Sequence, residues 1–163
     1  MFALVFTPAH SRLMKNPTPP THSVAVTGYV CREGAFLLLK RKNAPLIWTP
    51  PGGRLNPNED PQSGALREIE EETGLKAEIV GLVDTWFGEI ADRGLFLSLD
   101  FLALAPSGEV QLSEEHAEYV WASIADLENG SPPLGGDPCS YRLEDFKKIR
   151  DSHLFFKGSN SRS

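Results

Sequence analysis

The chain has 163 residues, 40% hydrophobic and 23% charged, with a net charge of −6 at pH 7. That length suits one domain burying roughly two thirds of its unfolded surface, and the acidic balance counts against a general affinity for nucleic acid or an anionic membrane surface. The two cysteines, Cys31 and Cys139, are far apart and form no CxxC pair, which argues against a disulfide framework or a zinc site and for two reduced thiols in a reducing compartment.

In chain order, the first apolar run is "FALVF" (Phe2 to Phe6). It lacks a basic flank and is too short for a signal segment. No run approaches the ~20 apolar residues of a membrane span, so a cytoplasmic protein with no membrane partner is expected. "NPTPPTH" (Asn16 to His22) breaks the chain, and residues 1–20 read as an appendage. "SVAVTGYVC" (Ser23 to Cys31) and "AFLLLKRK" (Ala35 to Lys42) are β-rich and flank "REG", a hairpin pattern. A loop dense in Pro, Gly and Asn follows, "NAPLIWTPPGGRLNPNED".

Next comes a helix with clear punctuation. Asp60 is placed to cap it, Pro61 suits its first turn, and Gly74 stands where a left-handed residue stops it. Ala65, Leu66, Ile69 and Thr73 recur at helical spacing and form its apolar face. "AEIVGLVDTWF" (Ala77 to Phe87), "LFLSLDFLALA" (Leu95 to Ala105) and the shorter "AEYVWAS" (Ala117 to Ser123) are β-type runs. "IADLENG" is a brief helical turn, and "YRLEDFKKIRDSHLFF" (Tyr141 to Phe156) is a closing helix. The order implies an α/β or α+β fold with a mixed sheet between helices. The tail "GSNSRS", residues 158–163, reads as disordered.

The punctuated helix ends in "REIEEETG" (Arg67 to Gly74). Acidic residues at a helix C-terminus oppose the macrodipole, and Glu68 faces Glu71 and Glu72 at contact spacing. Together these terms cost about 1–3 kcal/mol. An acidic run of this kind is most often a solvated helix face. Here three carboxylates share one face beside the core, a set of hard oxygen donors suited to Mg²⁺, which keeps water positions open for a phosphate. Arg67 is spaced to pair with Glu71 or to orient another carboxylate. Glu59 is available to brace Arg67 or join the metal shell. Gly52 and Gly53 permit close backbone approach, with a carbonyl as a further ligand.

From Gly53 the chain reads G, five residues, Glu59, seven residues, then Arg67-Glu68-Ile69-x-Glu71-Glu72-x-Gly74-Leu75. This resembles the signature of the Nudix hydrolase family, G-x5-E-x7-R-E-U-x-E-E-x-G-U, at every fixed position. Seven fixed residues at fixed spacing match by chance with a frequency on the order of 10⁻⁹. "WTPPGG" before the box is similar to the family's usual entry. The resemblance covers about Thr21 to Phe156, leaving 1–20 as an extension, 21–157 as the domain and 158–163 as the tail.

The resemblance implies an α/β/α sandwich and Mg²⁺-dependent hydrolysis, with Mn²⁺ as alternative, of a nucleotide-type diphosphate. By position, Glu68, Glu71, Glu72 and a Gly53 carbonyl are implied metal ligands. Glu68 is also the implied base, Arg67 the residue that orients the cluster, Glu59 its brace, and Gly74 the shaper of the helix end. The family's late glutamate falls among Glu114, Glu115 and Glu118, with Glu115 favoured by its offset from Trp121. Arg41 and Arg54, with Lys40 beside them, are candidate phosphate contacts, and Trp86, ahead of Trp48, is the candidate base-stacking residue. The proline typical of ADP-ribose hydrolases is missing near Ala91. The tyrosine of diadenosine polyphosphate hydrolases is missing near Arg93, and the coenzyme A motif is absent. The expected substrate is therefore a nucleoside diphosphate derivative or a nucleoside triphosphate. A non-catalytic nucleotide-binding module and an RNA 5′-end pyrophosphohydrolase are the alternatives. A homodimer is left open.

Overall fold

The computed structural model describes residues 22–90, 93–137 and 140–160, with the backbone alone for 153–160. The expectations for residues 1–20, Ala91, Cys139, residues 161–163 and the side chain of His153 lie outside the described residues. A seven-stranded mixed sheet runs β3-β2-β1-β6-β5 across its main path. Its strands are β1 (Ser23–Arg32), β2 (Ala35–Arg41), β3 (Trp48–Thr49), β4 (Gly52–Arg54), β5 (Glu78–Ile90), β6 (Gly94–Leu104) and β7 (His116–Ala122). β4 pairs with β1 and β7 with β2. β1 is antiparallel to β2 and β4 and parallel to β6. The helices are α1 (Pro61–Thr73), α2 (Ile124–Glu128) and α3 (Leu143–Asn160).

Both faces of the sheet centre are covered, which explains why "FLLLK" is a continuous apolar run rather than an alternating one. Leu37 and Leu39 join Val30, Ala103, Ile69 and Leu75 on the α1 face. Phe36 and Leu38 join Tyr29, Leu102, Phe146 and Ile149 on the α3 face. Tyr29, Phe36 and Phe146 meet edge to face, with ring centroids 5.3 to 6.5 Å apart. The α/β/α layering expected from the sequence is what the chain adopts.

Three details differ from the sequence reading. The loop between β2 and α1 contains β3 and β4, two and three residues long. Strands that short carry no period of their own; they form because β2 and β1 present edges to them. Leu66, expected on the apolar face of α1, is only half-buried, and Glu72 takes its place among the buried residues of that helix. α3 continues through Asn160, past the expected domain boundary at 157. Among the described residues no helix is long and apolar enough to cross a membrane.

Candidate active site

α1 begins and ends as its sequence demands. Asp60 accepts from Gln62 N–H at 3.0 Å and Ser63 N–H at 3.1 Å, a cap worth about 1 kcal/mol. Gly74 takes φ 68° and its N–H returns to Glu70 O at 2.8 Å, a conformation that only glycine adopts without strain. No basic residue stands in the last turn. The terminal carbonyls are met instead by the β6–β7 connection, where Ser113 N–H donates to Glu72 O at 3.2 Å and Gln111 N–H to Thr73 O at 2.8 Å. Arg32 clamps the start of that connection, bonding the carbonyls of Ala105, Ser107 and Gly108. The segment carrying the late glutamates is thereby fastened to the end of the acidic helix.

Arg67 holds four partners at once. Its guanidinium donates to Glu59 Oε1 at 2.8 Å and Oε2 at 2.9 Å, to Glu68 Oε1 at 2.8 Å, to Glu71 Oε2 at 3.0 Å, and to the Arg54 carbonyl at 3.2 Å. The fork to Glu59 is bidentate, the geometry that distinguishes arginine from lysine. Glu59, bonded also by Asn56 N–H, is held down to a pKa of about 2, chiefly by Arg67. Glu59 therefore braces Arg67. Glu70, at the free position of the box, is exposed and pairs with Lys76.

Two of the carboxylates are drawn inward. Glu68 lies against the backbone of Gly53, where an added Cβ would sit 2.5 Å from Glu68 Oε1. Glu72 is buried and accepts from Gly52 N–H at 2.9 Å. Burial raises the Glu68 carboxyl, opposed by Arg67 and reinforced by Glu71 and Glu115. Burial also pushes Glu72 up to about 8, opposed by the Gly52 bond and by Arg41 and reinforced by Glu68 and Glu115. Gly53→Ala is expected to leave the fold intact but drive Glu68 off its seat, lowering turnover by about 10²-fold, the scale of one misplaced charged group. Steady-state kinetics beside a circular dichroism spectrum checks both halves.

Glu115 and Glu118 stand in different surroundings. Glu115 acts on both Glu68 and Glu72 through its charge. Its carbonyl accepts from Lys42 N–H at 2.9 Å. Glu118 is spent on Lys40 at 2.7 Å. Arg41 is close enough to oppose the rise of Glu72. Arg54 is exposed and lies over the Phe96 ring at 5.0 Å. Trp86 is 43% exposed on β5, so it is not a core tryptophan. The pairings Arg54–Ala25, Ala25–Ser98 and Ser98–Trp86 place Arg54 and Trp86 in one row across four strands. Trp48 is half-buried against the α3-side core.

The sequence reading assigned no role to His116, which is buried beside Glu72. Burial lowers its pKa, Glu115 raises it, and Arg41 and Lys42 add to the fall. Its only sequence signal is adjacency to Glu115.

Carboxylate and carbonyl oxygens crowded at Gly52–Gly53 are a donor set that fits a hard divalent cation. Among the described residues no three Asp, Glu, His or Cys side chains form a ready coordination shell. Glu68 and Glu71 are turned onto Arg67, and Glu72 onto Gly52.

A family model described as the NUDIX domain matches residues 21–142. A MutT-like protein of Streptomyces ambofaciens is 36% identical over 104 residues, 64% of this chain and 66% of that protein. An ADP-ribose pyrophosphatase of Methanocaldococcus jannaschii is 33% identical over 118 residues, 71% of this chain and 68% of that protein. The match thus spans about two thirds of the length of these curated relatives. The crystal structure of a MutT protein from Methanosarcina mazei superposes with a TM-score of 0.67 at 26% identity, covering 84% of this chain and 98% of that one. A Caenorhabditis elegans Ap4A hydrolase binary complex gives 0.66 at 26% identity, covering 83% and 98%. With the box, the layered fold and these likenesses in agreement, the chain belongs to the Nudix hydrolase family, enzymes acting on phosphorus-containing anhydrides.

Proposed function

We propose that the chain is a Mg²⁺-dependent pyrophosphohydrolase, with Mn²⁺ as an alternative, acting on a nucleoside diphosphate derivative or a nucleoside triphosphate. The observation that carries this reading is the convergence of Glu68 and Glu72 on the Gly52–Gly53 backbone, with the charge of Glu115 acting on both. Burial and mutual repulsion there make the carboxyls hard to ionise without an opposing charge.

In this reading Glu68, Glu71, Glu72 and the Gly53 carbonyl hold the cation. When bound, it supplies neutralisation of phosphate charge and acidification of a water. Glu68, seated against Gly53 and steadied by Arg67, takes the proton of the attacking water. As the new P–O bond forms, the bridging P–O bond breaks and the departing phosphate leaves with its electron pair. Such chemistry needs positioning and charge neutralisation more than a covalent nucleophile. Arg41 and Arg54 bind phosphate oxygens, and Trp86 offers a ring face to the base from the same sheet row as Arg54.

Two of the curated relatives are named a bis(5′-nucleosyl)-tetraphosphatase and an ADP-ribose pyrophosphatase, names that support a nucleoside-linked anhydride as substrate here. The test is phosphate and nucleotide release from a panel of nucleoside triphosphates and nucleoside diphosphate derivatives, with Mg²⁺, with Mn²⁺ and with chelator. Turnover that survives chelation, or ligand-induced thermal stabilisation without turnover, defeats the proposal. Glu115→Gln is expected to lower kcat at least 10-fold and Glu118→Gln less than 2-fold, magnitudes set by the loss of one charged group at a reacting centre. The reverse order in a side-by-side assay would reassign the late acid.

A further inference from the structure

The Glu72 carboxylate has two oxygens, and the glycine loop holds only one. Oε2 accepts from Gly52 N–H at 2.9 Å. Oε1 faces Nε2 of His116 at 3.8 Å, and the imidazole side chain is only 4% exposed. The other ring nitrogen, Nδ1, lies 3.4 Å from the Ser113 hydroxyl. Glu115 N–H donates to that same hydroxyl oxygen at 3.4 Å, and the hydroxyl proton remains free to be given to Nδ1. An Nδ1 that accepts puts the proton of a neutral ring on Nε2, the nitrogen aimed at Glu72.

The backbone holds these groups in place. Ser113 N–H donates to Glu72 O at 3.2 Å, and His116 N–H to Ser113 O at 3.3 Å. Cα pairing across the sheet sets His116 opposite Arg41. His116 is thus tied to the residue it faces through Ser113 as well as through space.

We propose that His116 is the positioning residue of Glu72: its Nε2–H takes Oε1 while Gly52 N–H takes Oε2, fixing the plane in which the carboxylate is offered to a divalent cation. The inference rests on the reading of Glu72 as a cation ligand. At 3.8 Å the contact is longer than a closed hydrogen bond. Closing it to the roughly 2.8 Å of a charge-assisted hydrogen bond takes a shift of about 1 Å. Groups that orient a metal ligand in this way characteristically change metal affinity or activity by about 10- to 100-fold when lost.

The experiment is titration of Mn²⁺ into the metal-free full chain, followed by electron paramagnetic resonance, for the parent, His116→Phe, His116→Gln and Ser113→Ala. Phenylalanine keeps the ring volume and removes the donor. Glutamine returns an N–H donor to nearly the same place. H116F is expected to bind Mn²⁺ at least about 10-fold more weakly with an unchanged thermal midpoint, H116Q within about 3-fold of the parent, and S113A about 3-fold more weakly. The nucleotide KM at saturating metal is expected to stay put while the metal dependence of kcat moves. Equal Mn²⁺ binding by H116F and the parent overturns the proposal, as does H116Q binding as weakly as H116F. If H116F does not fold, parent-like binding by S113A overturns it. No Mn²⁺ binding by the parent defeats the metal reading itself, a distinguishable failure.

Discussion

Glu72→Gln is expected to stabilise the metal-free chain while removing most of its activity, by about 10³-fold given the loss of a proposed ligand to the charge that stabilises the transition state. Glu72 is buried and its folded pKa is raised from 4.5 to about 8. Below pH 4.5 the carboxyl is protonated whether the chain is folded or not, so it adds no pH dependence. Between 4.5 and 8 the unfolded chain releases this proton and the folded chain keeps it. Stability therefore falls as pH rises through that window, and levels off above it. A glutamine side chain has no proton to lose, so the variant lacks this slope and gains about 4 kcal/mol near pH 8. Glu59 works with the opposite sign. Its folded pKa is depressed to about 2, so its contribution is present above 4.5 and lost as pH falls toward 2. Denaturant melts of parent and variant from pH 4 to 9, in chelator, separate the two. A variant that is less stable than the parent at pH 8 would refute the account. The same proton must leave when a cation binds, so metal affinity is expected to rise with pH up to about 8.

Arg67→Lys is expected to lower kcat by about 10²-fold and the unfolding free energy by about 2 kcal/mol. Arg67 is the only group joining Glu59, Glu68, Glu71 and the Arg54 carbonyl among the described hydrogen bonds. It is three-quarters buried, with 25% of its side chain exposed. An ammonium keeps the charge but cannot reproduce a planar fork that grips Glu59 with two nitrogens and still reaches two more carboxylates. Losing part of such a network costs less than stripping a fully buried pair, hence the moderate figure. Crucially, the loss should appear in kcat more than in the nucleotide KM, because Glu68 is displaced while the side chains of Arg41 and Arg54, the proposed phosphate contacts, are not. A variant with parent-like kcat and a raised KM would show that Arg67 binds substrate rather than aiming Glu68.

Much of this was legible in one dimension. Asp60, Pro61 and Gly74 delimit α1 because capping and left-handed geometry are local requirements, met within a few residues. The continuous apolar run of β2 announced a strand buried on both faces. Burial of Glu72 was also written there, since Ala65, Ile69 and Glu72 recur at i, i+4 and i+7. Charge led the reading to place Glu72 beside the core rather than in it.

Other features depended on strand register and chain return, which local spacing does not encode. The parallel pairing of β1 with β6 joins segments about 70 residues apart. The register of β7 on β2 separates Glu115, which senses the carboxylates, from Glu118, which is tied to Lys40. The same register brings His116 inside. Side-chain aim behaved likewise: Arg54 turned to Phe96, while Arg67 found four acceptors on three segments. The acidic helix, its ends and the spacing of its carboxylates follow from local order along the chain, because helical period and capping are short-range. Which carboxylates are desolvated, and which donors meet them, follows from the folded packing, because desolvation is set by whatever distant segment packs on top.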